Sequence, residues 1–324
     1  MPNTITKPDL EAYVRIDRVC CKPWLRIIGL ISGLSVTRCR SRHVSKPVSG
    51  LAWLTTSEGK VICLHVGQKM EIGHCHASEQ LLLFASAGEV SVSYSGGSWQ
   101  SLDTPTWVCS GDEFDLRFSE NSRLVVLKPA VELFAKTPRA GGFRQFRAMA
   151  PLIKQYLENM RFYFDNEHAR ALTRELLGHL ARFQADGPVG VVPKMQPLDR
   201  RLRWAIDKIE QNPGWEFNLE ELARCSGACE RNLYYLMKNN TGMTPYRFYQ
   251  RQRLIRVRRR LVDCQASEAR ISRYAADEGF SHLGRFSALY REHFGELPSQ
   301  TVRRRQHLYE AEAEAGGVSC EMLV

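Results

Sequence analysis

Hydrophobic positions along this chain change period twice. Between Leu51 and about Ala130, the short apolar runs VICLHVG, LLLFASAGEVSVSY, TWVCSGDEFDLRF and RLVVLKP are broken by Gly, Pro, Asn and Ser, and GEVSVSYSG alternates at every second position. Period two is the spacing of side chains on one face of a strand, so this stretch predicts a small antiparallel barrel or sandwich. From Phe143 to Gln184 the spacing becomes helical: Leu152, Ile153, Tyr156, Leu157, Met160 and Tyr163 recur at steps of three and four, and Leu172, Leu176, Leu177, Leu180 and Phe183 do so after Asp165-Asn166. Two amphipathic helices are expected there. Residues 1 to about 50 mix short apolar runs with Arg-rich polar ones and predict no particular element.

Residues 185–197, ADGPVGVVPKMQP, hold three prolines and two glycines without helical periodicity, which reads as a linker. Beyond it, helical period returns in short units. Leu202, Ala205, Ile206 and Ile209 form one stripe that Asn212-Pro213-Gly214 ends. Asn218 and Glu221 stand at capping-box spacing, so a short helix should begin at Leu219 and bury Leu222 and Ala223. Cys225-Ser226-Gly227 turns the chain into a helix with Leu233, Leu236 and Met237 inside and Arg231, Asn232, Tyr234, Tyr235 and Lys238 outside. Thr244-Pro245 suits an N-cap with proline at the first helical position, opening a long helix to about Leu261. Its inner positions include Phe248, Leu254, Val257 and Leu261, and its other faces carry seven arginines, Arg247 to Arg260, which are expected to face solvent or phosphate. A second short helix, Glu268 to Asp277, leads through Gly279-Phe280 to a helix capped by Ser281 and packed down by Phe286, Leu289, Tyr290 and Phe294.

Two helix-turn-helix units in tandem change the meaning of the charge. The chain has 324 residues and a net charge of +10, but residues 198–306 hold 21 Lys+Arg against 13 Asp+Glu, leaving 24 against 22 elsewhere. A basic module joined to a near-neutral one suits a polyanion reader attached to a domain with another task. Length allows two domains, and 44 % hydrophobic residues without a long apolar run give no bilayer span and no membrane partner. The opening MPNTITKPDLEAYVR lacks a signal-peptide pattern, so the ten cysteines are expected to be thiols of a cytoplasmic protein.

The ordered set NLEELARCSG, RNLYYLMKNNTGMTPYRFYQRQRLIRVRRRL and ISRYAADEGFSHLGRFSALYREHFGELPS resembles the DNA-binding domain of AraC/XylS-type bacterial transcriptional regulators. The likeness spans about residues 198 to 305. It implies an α+β fold: an N-terminal effector-binding and dimerisation domain (1–184) with a cupin-like β-barrel and dimerisation helices, a linker (185–197), an all-α double helix-turn-helix domain (198–306) and an acidic tail (307–324). It implies double-stranded DNA as partner, RNA polymerase as a further partner of an activator, a homodimer, and an unknown small-molecule effector. A stiff linker helix would set two reading helices about one turn of DNA apart, roughly 34 Å, in successive major grooves.

By that similarity the base-edge contacts fall on Arg231, Tyr234 and Tyr235 in the first reading helix and on His282, Leu283, Arg285, Ser287 and Ala288 in the second. Backbone contacts fall on Asn232, Lys238, Arg247, Arg251 and Ser281. One departure is Cys229, where the family often has a capping serine, so capping there should be weaker.

Elsewhere, His74 and His76 with Glu79 resemble the first metal motif of cupin enzymes, yet Glu79 comes one residue early and no second motif stands around residues 105 to 120. A cupin-type metalloenzyme, or a metal or redox sensor, fused to a DNA-targeting module is therefore the alternative. The family likeness favours an effector pocket with His74, His76 and Glu79 as polar groups. Cys225 and Cys229, four apart, and adjacent Cys20-Cys21 could suggest a sensor, but without a nearby histidine pair they read as buried or incidental thiols. No catalytic constellation stands out, so no enzyme activity, cofactor or metal is assigned.

Overall fold

The computed structural model describes residues 10–47, 49–94, 96–130, 144–186, 199–266, 269–310 and 319–322. After a short 3-10 turn at Glu11–Tyr13, the chain forms β1 (Val14–Val19), α1 (Cys21–Ser32), β2 (Leu34–Ser41), β3 (Ser49–Thr56), β4 (Gly59–Val66) and β5 (Met70–Ala77). It continues through β6 (Leu81–Ala87), β7 (Val90–Tyr94), β8 (Gln100–Ser101), β9 (Thr106–Val108), β10 (Glu113–Phe118), β11 (Ser122–Pro129) and β12 (Arg144–Gln145). Helices α2 (Met149–Asn159) and α3 (Asn166–Asp186) complete the N-terminal domain.

The first fifty residues, which carry no clear period, thus belong to this domain. Seven strands order as β1-β3-β4-β11-β6-β9-β12 in one sheet, and β2-β5-β10-β7-β8 make up most of the other. The architecture is α+β, but the two sheets stay open and the expected cupin-like barrel does not close: β1 and β12 end one sheet unpaired with the ends of the other.

The wide sheet is buried on both faces. Leu81, Leu83, Leu124 and Val126 point into a core shared with the other sheet and α1, while Leu82, Phe84, Val125 and Leu127 pack under α2 and α3. That is why LLLF and LVVL read as unbroken apolar runs. Four buried leucines or phenylalanines in such a run each contribute about 1.5 to 3 kcal/mol, which compels both coverings.

The C-terminal part forms α4 (Arg200–Gln211), α5 (Leu219–Ser226), α6 (Glu230–Thr241), α7 (Pro245–Val262), α8 (Ile271–Asp277), α9 (Leu283–Phe294) and α10 (Pro298–Glu310). Residues 187–198, which hold most of the expected linker, lie outside the described residues. Beyond α10, the acidic stretch ends in β13 (Ser319–Met322), which pairs in parallel with β2 and makes the other sheet six-stranded. Of the acidic tail expected over 307–324, residues 307–310 continue α10 and residues 319–322 pair as a strand. The physical reason is an open edge: the outer side of β2 has free backbone groups that a strand can satisfy.

A candidate nucleic-acid interface

Two half-modules share α7. The first has its own core, in which Leu202, Ala205, Ile206 and Ile209 of α4 meet Leu222 and Ala223 of α5, Leu233 and Met237 of α6, and Phe248 and Tyr249 of α7. The second packs Leu254, Val257 and Leu261 of α7 against Ala275 of α8 and Phe286, Tyr290 and Phe294 of α9. One continuous helix therefore contributes to both cores. The caps explain where it starts: Thr244 accepts from the Arg247 N–H at 3.2 Å and Pro245 takes the first turn.

The short helices follow their local signals. Asn218 accepts from Glu221 N at 2.9 Å, while the Glu221 carboxylate takes the Trp215 indole N–H at 2.8 Å. Gly227, Gly242 and Gly295 close α5, α6 and α9 in the left-handed region, with φ of +70°, +68° and +72°. Cys229 caps α6 without a side-chain hydrogen bond, as its weak acceptor chemistry predicts. Ser281 does not cap α9; that position belongs to His282, which makes no side-chain cap bond either.

On α6, Leu233 and Met237 turn inward and Arg231, Tyr234, Tyr235 and Lys238 are exposed along one stripe. The Arg231 guanidinium lies over the Tyr235 ring at 5.8 Å, and Tyr235 meets Tyr234 edge-on. Asn232 is half-buried, and Lys238 Nζ donates to the Gly242 carbonyl at 3.2 Å, at the helix end. On α9, Phe286 and Tyr290 hold the inner face while His282, Leu283, Arg285 and Ala288 are exposed, as is Ser281 ahead of the helix. Ser287 is half-buried and lines a depression of about 500 Å³ together with Arg270, Ser272 and Arg273 beside α8. Those two arginines flank the reading face and have no periodic signature in the sequence.

The arginines of α7 depart from expectation. Arg256 pairs with Glu278 at 2.6 Å, Arg260 with Asp277 at 2.8 Å and Arg259 with Glu11 at 3.0 Å. Arg258 is fully buried and donates to Glu296 at 2.8 Å and to the Val14 carbonyl at 3.2 Å. Arg15 reaches the same carboxylate at 2.5 Å, and Arg304 also pairs with it. Burial pushes the Glu296 carboxyl up, but the guanidiniums of Arg258 and Arg15 outweigh it and hold the group at about 2. Arg251, expected at the DNA backbone, is 4 % exposed, donates to the Met160 carbonyl and lies 4.6 Å over the Tyr163 ring. It is turned away from any phosphate. Of the backbone candidates on α7, Arg247 remains, 60 % exposed and loosely paired with Glu292 at 3.5 Å.

What covers α7 is the N-terminal domain. The connection between α2 and α3 enters the crease between the half-modules: Phe162 packs on Phe248, and Tyr163 stacks on His293 with ring centroids 5.0 Å apart. Phe164 approaches Gly242, and Asn166 approaches Gly295. The start of α3, with Asp165, Asn166 and Glu167, lines a depression of about 670 Å³ whose other wall is Ser287, Ala288 and Arg291 of α9. The two domains are therefore joined by packing as well as by the linker expected at 185–197.

The N-terminal polar candidates do not come together. His74 and His76 do share a face of β5, but it is the outer one; Met70, Ile72, Cys75 and Ala77 fill the core instead. A bulge at His74, with φ of +52° and its N–H donated to Asp115, shifts the strand by one position. Glu79 is committed to Lys128 at 2.6 Å. Among the described residues, no group of three His, Cys, Asp or Glu is placed to hold a metal. Cys225 and Cys229 are exposed rather than buried.

A family model described as a helix-turn-helix domain matches residues 222–304. The chain is 41 % identical over 101 residues to the XylDLEGF operon transcriptional activator 1 of Pseudomonas putida, covering 31 % of this chain and 30 % of that protein. It is 39 % identical over 97 residues to the XylDLEGF operon transcriptional activator 2 of the same organism, covering 30 % of this chain and 62 % of the relative. The likeness thus spans about a third of the length of the first of these relatives. A probable AraC family transcriptional regulator from Rhodopseudomonas palustris, known as a crystal structure, is 30 % identical, with 33 % of this chain and 98 % of that one covered and a TM-score of 0.31. Through the helix-turn-helix domain in its C-terminal third, the chain belongs to the AraC/XylS-type family of transcriptional regulators.

Proposed function

We propose that the protein is a sequence-specific DNA-binding transcriptional regulator, acting as an activator, that reads two successive major grooves with α6 and α9. The observation that carries this reading is the exposure of two polar stripes on helices whose cores are joined by a single helix, α7. Arg231 and Arg285 are the strongest readers, because a guanidinium can donate twice to the O6 and N7 edge of guanine. Tyr234, Tyr235, Leu283 and Ala288 offer thymine-methyl or phosphate contact, with His282 and Ser287 at the edges of the second stripe. Lys238, Arg247, Asn232 and Ser281 would hold the backbone, and Arg270 and Arg273 extend that surface.

Control falls to the N-terminal domain. With Asp165 and Glu167 beside Ala288, carboxylates stand where phosphates would have to approach, so this arrangement opposes DNA entry at α9. A signal that moves the α2–α3 connection would shift the balance toward the binding arrangement. A small-molecule effector, a homodimeric state and contact with RNA polymerase belong to the same proposal. The apolar stripe of α3 at Leu176, Leu177 and Leu180 is spent inside the chain, so a dimer would use other residues.

Affinity measured on a selected operator and on random duplex tests the reading. Arg285→Ala should cost about 1 to 3 kcal/mol on the operator, roughly 5- to 150-fold, with little change on random DNA. Arg247→Ala should weaken both alike and lower the salt slope by about one. Equal loss on both DNAs for both variants would contradict sequence-specific reading.

A further inference from the structure

Three cysteines that lie far apart in sequence meet at the open edge of the six-stranded sheet. Cys320 in β13 stands directly opposite Cys39 in β2, and Cys39 lies 3.8 Å from Cys21 at the start of α1, sulfur to sulfur. Cys39 and Cys21 are buried, whereas Cys320 is half-buried and open to small solutes. The strand pair is fastened next to the thiols: Arg38 and Arg40, on either side of Cys39, both reach Glu321 at 3.4 Å.

We infer that Cys320 and Cys39 form a peroxide-reactive thiol pair, with Cys320 as the attacking sulfur and Cys39 as the resolving one. Residues opposite each other on neighbouring strands have Cα atoms about 4.8 Å apart and side chains on one face, within the roughly 4.4 to 6.8 Å range that a disulfide spans. The surroundings assign the roles. Cys39 points its S–H toward Cys21 and Cys320 and is buried as well, which keeps it protonated far above the usual thiol range. Receiving that S–H draws the Cys320 thiol down, against partial burial and with help from Lys22 and Arg26, to about 7. A substantial thiolate fraction at neutral pH, partial exposure and an adjacent second thiol are what a redox-active cysteine needs.

The chemistry balances with hydrogen peroxide as oxidant. The Cys320 thiolate attacks one peroxide oxygen; an S–O bond forms, the O–O bond breaks and hydroxide leaves, taking up the proton that Cys320 had released. The Cys39 sulfur then attacks the resulting sulfenic acid. An S–S bond forms, the S–O bond breaks, and water departs with the proton of Cys39. Two thiols and one peroxide become one disulfide and two waters. Because β13 follows α10 and β2 lies in the N-terminal sheet, the product ties the helical domain covalently to the other one. This site is independent of how the protein reads DNA.

The test uses the reduced full-length protein, treated with one equivalent of hydrogen peroxide, blocked with iodoacetamide and mapped by peptide mass spectrometry. The expected product is a Cys39–Cys320 linked peptide, reversed by dithiothreitol. Cys320→Ser, a near-isosteric change at the half-buried edge strand, should abolish the bridge and the fast phase of peroxide consumption. Alkylation of Cys320 in untreated protein should outpace that of Cys39, a readout that requires no disulfide. The inference is overturned if Cys320 survives peroxide as a free thiol, if it stops at the sulfenic or sulfinic acid without a bridge, or if Cys21 and Cys39 pair instead.

Discussion

At the scale of single residues, the sharpest departure from the sequence concerns charge. Seven arginines on one helix look like a phosphate-binding face, and nothing in their spacing says which will be buried. The partners decide it, and they sit far away: Glu296 is 38 positions from Arg258, and Val14 is 244. Replacing Glu296 with Gln should be costly, because Arg258 and Arg15 would remain buried without a counter-charge; about 3 to 5 kcal/mol of unfolding free energy is expected to be lost, measured by urea titration. The same carboxylate gives a pH signature. Its folded value of about 2 lies below the ordinary 4.5, so its contribution is present above about 4.5 and disappears as pH falls from there through about 2. Acid unfolding of Glu296→Gln should lack that component. His293 works in the same direction at milder pH. Buried, and near Arg251, it is held well below 6.5, so the unfolded chain takes up its proton first and stability should decline as pH drops below about 6.5. A His293→Gln variant with an unchanged stability profile between pH 7 and 5 would contradict this.

At the scale of elements, the sequence was most legible where local chemistry sets the boundary. Thr244-Pro245, Asn218 and the three glycines after α5, α6 and α9 mark helix ends that the structure keeps, because a side-chain oxygen for an orphan N–H, or a residue free to enter positive φ, is a local requirement. Thr244→Ala should therefore cost about 1 kcal/mol and act only through the start of α7. Gly242→Ala is predicted to cost more than the φ of +68° alone implies, since a Cβ there would come within 3.0 Å of the Phe164 ring. Comparing the melting of Gly242→Ala with Gly227→Ala, whose added Cβ meets nothing within 4 Å, separates backbone strain from the clash. Legibility fails for β1, α1 and β2, where a strand, a helix and another strand follow within thirty residues, so the period changes twice over a short stretch. It also fails for β13, whose pairing depends on an edge that only the folded sheet creates.

At the scale of the whole molecule, the candidate site was readable as two candidate reading helices and a linker helix, while the packing of the N-terminal domain against it was not. Arg231, Tyr234, Tyr235, Arg285 and Ala288 are exposed as helical spacing requires. The aromatic run Phe162-Tyr163-Phe164 continues a helical pattern on paper, yet α2 stops at Asn159 and those rings enter the crease between the half-modules. A run of three large rings just before Asp165-Asn166 was the available hint, since Asp165 accepts the His168 N–H at 2.8 Å and starts α3. The outward placement of His74 and His76 was not legible for a different reason: a period-two pattern says which side chains share a face, not whether that face is the inner one. If the acidic start of α3 opposes DNA at α9, Asp165→Asn with Glu167→Gln should tighten binding, and the gain should shrink as salt screens the field.

On the proposed reading, one rigid helix holds α6 and α9 for two successive major grooves of a single duplex. Hydroxyl-radical footprinting of the full-length protein on its selected operator tests this most directly. Two protected segments are expected on one face of the DNA, centred about one helical turn, roughly 34 Å, apart for each bound chain, with Arg231→Ala erasing one and Arg285→Ala the other. Protection of a single groove segment that responds to only one of the two substitutions would contradict it.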